Sequence, residues 1–431
     1  MYRIYTLRLL ICLAVSVQLA QAQTPGLTTP SAAAGRYSGE VANTNQLVLG
    51  IGATALYDSN AFNTPEGNGQ AEFGATPRVS WDIAHSHWNS VFSYTANIMR
   101  STRYDFYNQT SHSLTASFGY QFSKSLSIDV SDRFAHTAEP LYTPSELFFQ
   151  QPTPGAPNPS FLGVPAILTS NFTTVSGQYR LDARSSLTIG GNYSIQRYGD
   201  MPGSLLSSSS RDSNAVSGSI AYNYSFSGRT KGGLSYDLTK FTTPIGYDTL
   251  SQRILVNAQV SPRPSMNLSV FAGPNYISNT LTSIVNGNSI PVTSVGWSWS
   301  AGGTYSWVKS RMTMSASVIR QVSDGGGLVG TVQLTSFQGS VAGKLPYKLS
   351  GSINAGYNLN DRLFLQNAGF QSPKYGSAGA TLTRNLRRDL TASIAYERLE
   401  QVLGLATTAP WIDRDRVTIS INYTFTHPLG R

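Results

Sequence analysis

The feature that most constrains the fold is a two-residue alternation that recurs along almost the whole chain. In Arg416–Phe425, every odd position from Val417 is apolar or aromatic, and every later even position is small and polar. Successive side chains of a β-strand point to opposite faces, so this segment predicts a strand with one apolar and one polar face.

Eighteen segments of this kind follow one another from Gln46 onward, and short turns between them alternate with longer loops rich in Gly, Asn, Pro and Ser. Antiparallel barrels of the bacterial outer membrane have short turns at one rim and long loops at the other. The pattern predicts an all-β fold: a transmembrane antiparallel up-and-down β-barrel over residues 46–425, with about 18 strands, 16 to 20 being open. The long loops are predicted at Ser59–Gln70, Ala135–Thr169, Gly199–Asp212, Ser278–Pro291, Asn360–Ser372 and Gln401–Asp413.

The composition agrees with a membrane barrel. Charged residues make up 12% of the chain, against about 25% in ordinary soluble domains. Aromatic residues make up 11%, and after the first twenty or so residues no apolar run is long enough for a membrane-spanning helix. Few charges and many aromatics without such a run are typical of chains that cross a membrane with strands.

Both ends of the chain carry segments predicted to lie outside the barrel. Residues 1–22 combine Arg3 and Arg8, a short apolar run and Ala20-Gln21-Ala22, which indicates a secretory signal peptide. Residues 23–45 are predicted to be a flexible periplasmic lead-in, and residues 426–431 a short C-terminal tail. The only cysteine, Cys12, falls in the signal peptide, so the mature chain would have no thiol for a disulfide or a metal site.

A barrel of this size leaves an aqueous channel unless something fills it. Inward-facing positions are mostly Ser, Thr, Asn, Gln and Gly, and charges of both signs occur among them without a ladder of one sign. The loop at Ala135–Thr169 could either fold into the pore or cap the surface. The charged pore-lining candidates are Glu72, Arg78, Asp82, Asp129, Arg133, Arg180, Lys231, Asp237, Arg253 and Glu397.

Catalysis has little support in the sequence. No nucleophile, base and orienting group can be assigned to one rim, and the pair His85 and His87 has no accompanying carboxylate pattern for a metal. We therefore predict that the chain is not an enzyme and has no catalytic residues, metal, cofactor or nucleic-acid partner.

The alternating strands, the signal peptide and the closing segment together resemble bacterial outer-membrane β-barrel proteins. The closest resemblance is to porin-like barrels often encoded beside exopolysaccharide genes. It implies a Gram-negative outer membrane, contact with lipid and lipopolysaccharide, and recognition of the last strand by the barrel-assembly machinery. The residues that would carry this assembly signal are Val417, Ile419, Ile421, Tyr423 and Phe425. Unlike in the family, where the chain usually ends on the aromatic residue, six residues follow Phe425.

The leading functional hypothesis is a channel for passive diffusion of small hydrophilic solutes. The alternatives are an outer-membrane component of exopolysaccharide export, with export proteins as partners, and a structural or adhesive barrel. A secreted soluble β-protein is the fallback hypothesis from a different class of protein. The sequence leaves open the substrate, the ion selectivity, the plugging of the pore and the oligomeric state.

Overall fold

The computed structural model describes residues 45–61, 67–103, 108, 110–137, 167–199, 212–244, 246–285, 288–324, 331–363, 372–402 and 411–429. The predicted signal peptide and nearly all of the predicted lead-in lie outside these residues. Most of the predicted loop at Ala135–Thr169 does so as well.

The described residues form eighteen β-strands. The first nine are β1 (Gln46–Asp58), β2 (Gln70–Ala84), β3 (Trp88–Ser101), β4 (Thr110–Gln121), β5 (Leu126–Thr137), β6 (Ile167–Arg180), β7 (Ser185–Gly199), β8 (Ser213–Ser225) and β9 (Thr230–Thr242). The others are β10 (Tyr247–Arg263), β11 (Met266–Val285), β12 (Asn288–Lys309), β13 (Met312–Ser323), β14 (Val332–Leu345), β15 (Leu349–Arg362), β16 (Lys374–Asn385), β17 (Leu390–Val402) and β18 (Ile412–Pro428).

Each strand pairs antiparallel with its neighbours in sequence, and the sheet closes on itself. β18 pairs with β1 along its length, from Gln46 opposite Pro428 to Asp58 opposite Arg416. β1 pairs on its other side with β2, so the closing strand leaves no open edge at this seam. The predicted fold, an antiparallel all-β barrel of 18 strands, is confirmed.

The two faces of the sheet differ in polarity as the alternation predicts. Side chains on the outer face are large, apolar and exposed, as for Ile51 (57%), Val256 (64%) and Trp297 (75%). The inner face carries mainly Ser, Thr, Asn and Gln, with a few charged side chains. A sheet with an apolar outside and a polar inside is the arrangement that hydrocarbon around a barrel requires.

Two predicted boundaries differ from the structure. The segment Ser278–Pro291 was predicted to be a loop, but β11 and β12 continue through it as a paired ladder that ends at Val285 opposite Asn288. Only Asn286 and Gly287 separate the two strands, and Asn-Gly is a favoured sequence for a two-residue hairpin connection. At the C-terminus, β18 extends to Pro428, so Thr426, His427 and Pro428 belong to the wall and pair with β1.

Candidate functional site: the channel interior

The ten predicted pore-lining residues all lie on the inner face. Each occupies the strand parity opposite to the exposed apolar side chains: Arg78 precedes Val79, and Arg253 precedes the exposed Ile254. Arg78, Arg180 and Lys231 are exposed, whereas Asp82, Asp129 and Arg133 are half-buried. The inward direction of these ten side chains is as expected, whereas their part in conduction is a proposal.

Four of the ten are drawn into polar contacts in which at least one partner is buried. Arg253 donates through Nε to Asp237 Oδ2 at 2.8 Å, and both side chains are buried. Glu72 accepts a hydrogen bond of 2.6 Å from Gln70 Nε2. Glu397 Oε2 lies 3.8 Å from an Nη1 atom of Arg416. The other six predicted residues are spread along the wall and are not brought together in one cluster.

The structure also reveals a buried ionic cluster that the sequence analysis did not include. Arg414 binds both carboxylate oxygens of Asp58, with Nε at 2.8 and 2.7 Å, and Arg416 Nε lies 3.5 Å from the same carboxylate. Asp58 is 0% exposed and Arg414 1%. These residues lie at the ends of the first and last predicted strands, next to the predicted loops Ser59–Gln70 and Gln401–Asp413. Extending the parity of Thr418 and Ser420 by two more steps would have identified both arginines.

The ends of β13 and β14 near the connecting loop depart from the barrel wall. A strand in the wall buries alternate residues at most, yet Gln321–Asp324 and Val332–Leu334 are buried at every position. Val322 continues the outward series of Ala316 and Val318, but it is only 7% exposed. Both faces of this segment are therefore covered by protein. We call residues 321–324 and 331–334 the inner hairpin.

The inner hairpin is released from the wall because β13 loses its partner on one side. β12 pairs with β13 only up to Ala301 opposite Arg320, and the rest of β12 pairs with β11 alone. β13 and β14 remain paired with each other up to Ser323 opposite Val332. The paired ends can thus tilt away from β12 without losing their own ladder.

Side-chain contacts place the inner hairpin against the inner wall formed by β8–β11. Thr331 Oγ1 lies 2.8 Å from Thr249 Oγ1 of β10, and Gln321 Oε1 accepts a bond of 3.2 Å from Arg253. Ser213 of β8 donates to Asp324 Oδ2 at 3.3 Å. Val322 completes an apolar cluster with the inward residues Ala215, Phe241 and Ile277 of β8, β9 and β11. The inner hairpin thus folds inward and covers part of the inner face of β8–β11.

A second contact joins walls that are far apart around the barrel. Leu168 and Tyr198 of β6 and β7 form one buried cluster with Tyr375 and Leu399 of β16 and β17. A circular barrel of 18 strands would separate opposite backbones by about 35 Å, whereas two facing side chains span only about 15 Å. The walls therefore approach each other at the end of the barrel that bears the long loops.

The interior consequently has two unequal sectors. Inner side chains of β8–β14, here called the packed sector, are buried along most of β8, β10 and β11 and at the loop ends of β9, β13 and β14, as for Thr249 and Asn275. Inner side chains of β2–β5, here called the open sector, are mostly half-buried or exposed, with Arg78 and Thr115 exposed. The open sector therefore presents water-accessible side chains to the lumen, including the exposed charge of Arg78.

The packed sector contains buried polar atoms that make no hydrogen bond within the described residues. Ser251 donates to Asn275 Oδ1 at 2.9 Å, and Thr249 donates to Asn279 Oδ1 at 2.8 Å. Yet Asn257 Oδ1, Asn275 Nδ2 and Ser300 Oγ are buried without a partner in the described part of the chain. An unsatisfied buried polar atom costs about 1–3 kcal/mol, so the closed packing here is not at its optimum.

The described residues hold no group of three or more His, Cys, Asp and Glu side chains suited to a metal ion. His85 and His87 are both exposed in the turn between β2 and β3. Within the same described residues, no helix is long and apolar enough to cross a membrane.

No family model and no curated protein matches the chain. Several solved structures are similar to the chain. The chain is similar to the outer membrane protein opdK from Pseudomonas aeruginosa, with 12% identity over 88% of this chain and 99% of that one and a TM-score of 0.40. It is also similar to OpdQ from Pseudomonas aeruginosa (9% identity, 89% and 99% covered, TM-score 0.44). A third similar structure is OccAB3 from Acinetobacter baumannii (8% identity, 89% and 99% covered, TM-score 0.41).

Proposed function

We propose that this barrel is a gated channel for passive diffusion of small hydrophilic solutes across the bacterial outer membrane. The observation that carries the proposal is the inverted polarity of a closed 18-stranded sheet, apolar outside and polar inside. Solutes would pass along the open sector, past Arg78, Asp82, Asp129 and Arg133. The proposal assigns no catalytic step to any residue.

The inner hairpin is the gate in this proposal. Its tip rests on the packed sector through few hydrogen bonds, among them the 2.8 Å contact of Thr331 with Thr249. When the tip leaves, water reaches the inner polar side chains that it contacts, such as Thr249 and Arg253, which lowers the free energy of the open state. Because Val332–Leu334 also pair with Asn360–Arg362 of β15, opening requires that the end of β15 moves with the hairpin or that this short ladder separates.

A disulfide between the hairpin tip and β10 tests the gate. The variant Thr249→Cys with Thr331→Cys ties the hairpin tip to β10, and beyond position 12 the chain has no other thiol. In planar bilayers the oxidised variant should show fewer and smaller open events than its reduced form. The matched control is Ser315→Cys with Ser340→Cys, since these hydroxyls lie 2.7 Å apart on adjacent strands of one wall. Oxidation of the control should leave conductance unchanged.

The outcomes separate the parts of the proposal. Equal currents from the oxidised and reduced forms would contradict the hairpin gate and leave the channel standing. Absence of current from wild-type and reduced protein alike would contradict the channel and favour the structural or adhesive barrel. A soluble β-protein would neither fractionate with outer membrane nor show heat-modifiable migration in detergent gels.

Exopolysaccharide export remains the second candidate. It rests on the resemblance described above, and the contact between walls at Leu168 and Tyr375 would have to open for a sugar chain to pass. A deletion strain with unchanged exopolysaccharide at the cell surface would contradict the export role.

We further propose that the outer face of β18 is the assembly signal. Val417, Ile419, Ile421, Tyr423 and Phe425 are 36–53% exposed on this face, and they lie opposite outward positions of β1. Phe425→Asp should lower the yield of folded barrel, because it places a charge in the apolar band. Ser420→Asp changes the inner face of the same strand and should fold nearly as well. Wild-type yield from Phe425→Asp would refute the role.

A further inference from the structure

One stretch of the outer wall is polar where the rest is apolar. On β4, β5 and β6 the outward positions nearest the long loops form a set that we call the outer polar patch. Its polar members are His112, Asp132, His136, Thr169, Asn171 and Thr173, and the half-buried Leu114 and Phe134 share the same face between them. Their strand parity is that of the outward residues Phe118, Val130 and Val175, and all six are half-buried.

Asp132 lies at the depth of hydrocarbon. It stands six residues above Leu126, where β5 begins, which is about 15 Å above that rim for a strand tilted by roughly 40°. The apolar band of such barrels is about 25 Å tall. A carboxylate at this depth on a lipid-facing wall raises the free energy of the membrane-embedded protein.

The hydrogen bonds of the outer polar patch are well formed but incomplete. Asp132 accepts from Thr173 Oγ1 at 2.6 Å and from Asn171 Nδ2 at 3.0 and 3.1 Å. Only Nδ1 of each histidine is engaged, with Tyr94 for His112 and with Thr169 for His136, both at 2.8 Å. In the described part of the chain, their Nε2 atoms are not bonded.

Small residues on this part of the outer wall also permit close approach of another protein surface. Asp132 has Ala116 as its register partner on β4, and β6 carries Gly177 on the same face. The large apolar side chains that point outward in the upper half of β4–β6, Leu114 and Phe134, are half-buried, whereas Trp297 and Trp299 of β12 are exposed. Small residues around polar groups are typical of contacts between membrane proteins.

We propose that the outer polar patch is an interface with a second copy of this chain. It contains donors and acceptors together, so the same surface on another copy can satisfy it. Both copies stand upright in the membrane, so groups at equal depth meet. Asp132 and Tyr94, each six residues from the start of its strand, can face each other across the contact.

The available area suits a specific but modest contact. The patch with its flanking strands β3–β7 covers about 24 Å by about 25 Å, or about 600 Å² per copy. The total of about 1,200 Å² lies at the lower limit of stable interfaces. The inference rests on the membrane location in the proposed function, which fractionation and heat-modifiable migration test independently.

The experiment uses the mature chain in mild detergent and in lipid vesicles. Native mass measurement of the wild type should give at least two copies, and Asp132→Leu should give one copy with heat-modifiable migration retained. If lipid covers the patch instead, Asp132→Leu removes a buried penalty and should raise the thermal midpoint without changing the mass. If the leucine variant fails to fold, Asp132→Asn replaces it in both measurements, because it removes the charge and keeps the shape of the side chain.

Cross-linking identifies the occupant. Thr173→Cys treated with a bis-maleimide in vesicles should yield a covalent product of twice the chain mass. Val270→Cys on β11, whose side chain is 45% exposed on the outer wall, should not. A single-copy wild type, a product with another protein, or equal dimer from both cysteine variants would overturn the proposal.

Discussion

The packed and open sectors are built from similar residues yet differ in what surrounds them. Both present Ser, Thr and Asn with scattered charges to the interior. On the packed sector the charge of Arg253 is buried and paired, whereas on the open sector Arg78 is exposed. The difference teaches that the inner polarity of a barrel does not by itself make a wet pore, because a segment of the same chain can cover part of it.

The largest expected effect comes from charge removal in the packed sector. Arg253→Leu leaves Asp237 buried without its partner, and loss of one member of such a pair costs about 3–5 kcal/mol. Arg78→Leu in the open sector removes an exposed charge that donates a hydrogen bond of 2.7 Å to Thr424 Oγ1, and should cost less than about 1 kcal/mol. Urea unfolding in vesicles, followed by tryptophan fluorescence, measures both. Equal losses of unfolding free energy in the two variants would contradict the distinction between the sectors.

An intermediate effect is expected from a charge at the hairpin. Val322→Asp places a carboxylate in the apolar cluster with Ala215, Phe241 and Ile277, so the inner hairpin should leave the packed sector. Conductance in planar bilayers should rise several-fold, which corresponds to a shift of about 1 kcal/mol between closed and open states. Thr313→Asp is the control, because it adds the same charge to the inner face of β13 far from the hairpin. A similar rise in both variants would show that charge, and not release, is responsible.

The smallest effect probes how Arg78 is held in the open sector. A Cβ atom at residue 50 would lie 2.5 Å from Arg78 Nε, so Gly50→Ala must displace the guanidinium from Thr424. Gly218→Ala on β8 is the control, since an added Cβ there meets nothing within 4 Å. We expect Gly50→Ala to be less stable than Gly218→Ala by a few tenths of a kcal/mol. Identical unfolding curves would mean that the glycine does not position Arg78.

Local pattern was enough to predict much of this molecule. The alternation in Val417–Phe425 identifies a two-faced strand, and the same rule assigns Arg78 and Asp237 to the inner face. Ser278–Pro291 was misread because its Asn, Gly and Pro residues suggested a loop, whereas its pairing with a partner strand overrode that composition. Arg414 was missed because strand ends are the least regular part of the pattern.

The sequence alone determined the antiparallel up-and-down order of the strands and the face of most side chains, because strand alternation and closure of a sheet are local and topological rules, whereas the exact number of 18 strands came from the structure. Only the tertiary structure decided which inner residues touch across the lumen. Val322 has the parity of a lipid-facing residue, and its burial follows from the tilt of β13 and β14 away from β12. Alternation specifies the direction of a side chain, whereas burial depends on what the rest of the chain places opposite to it.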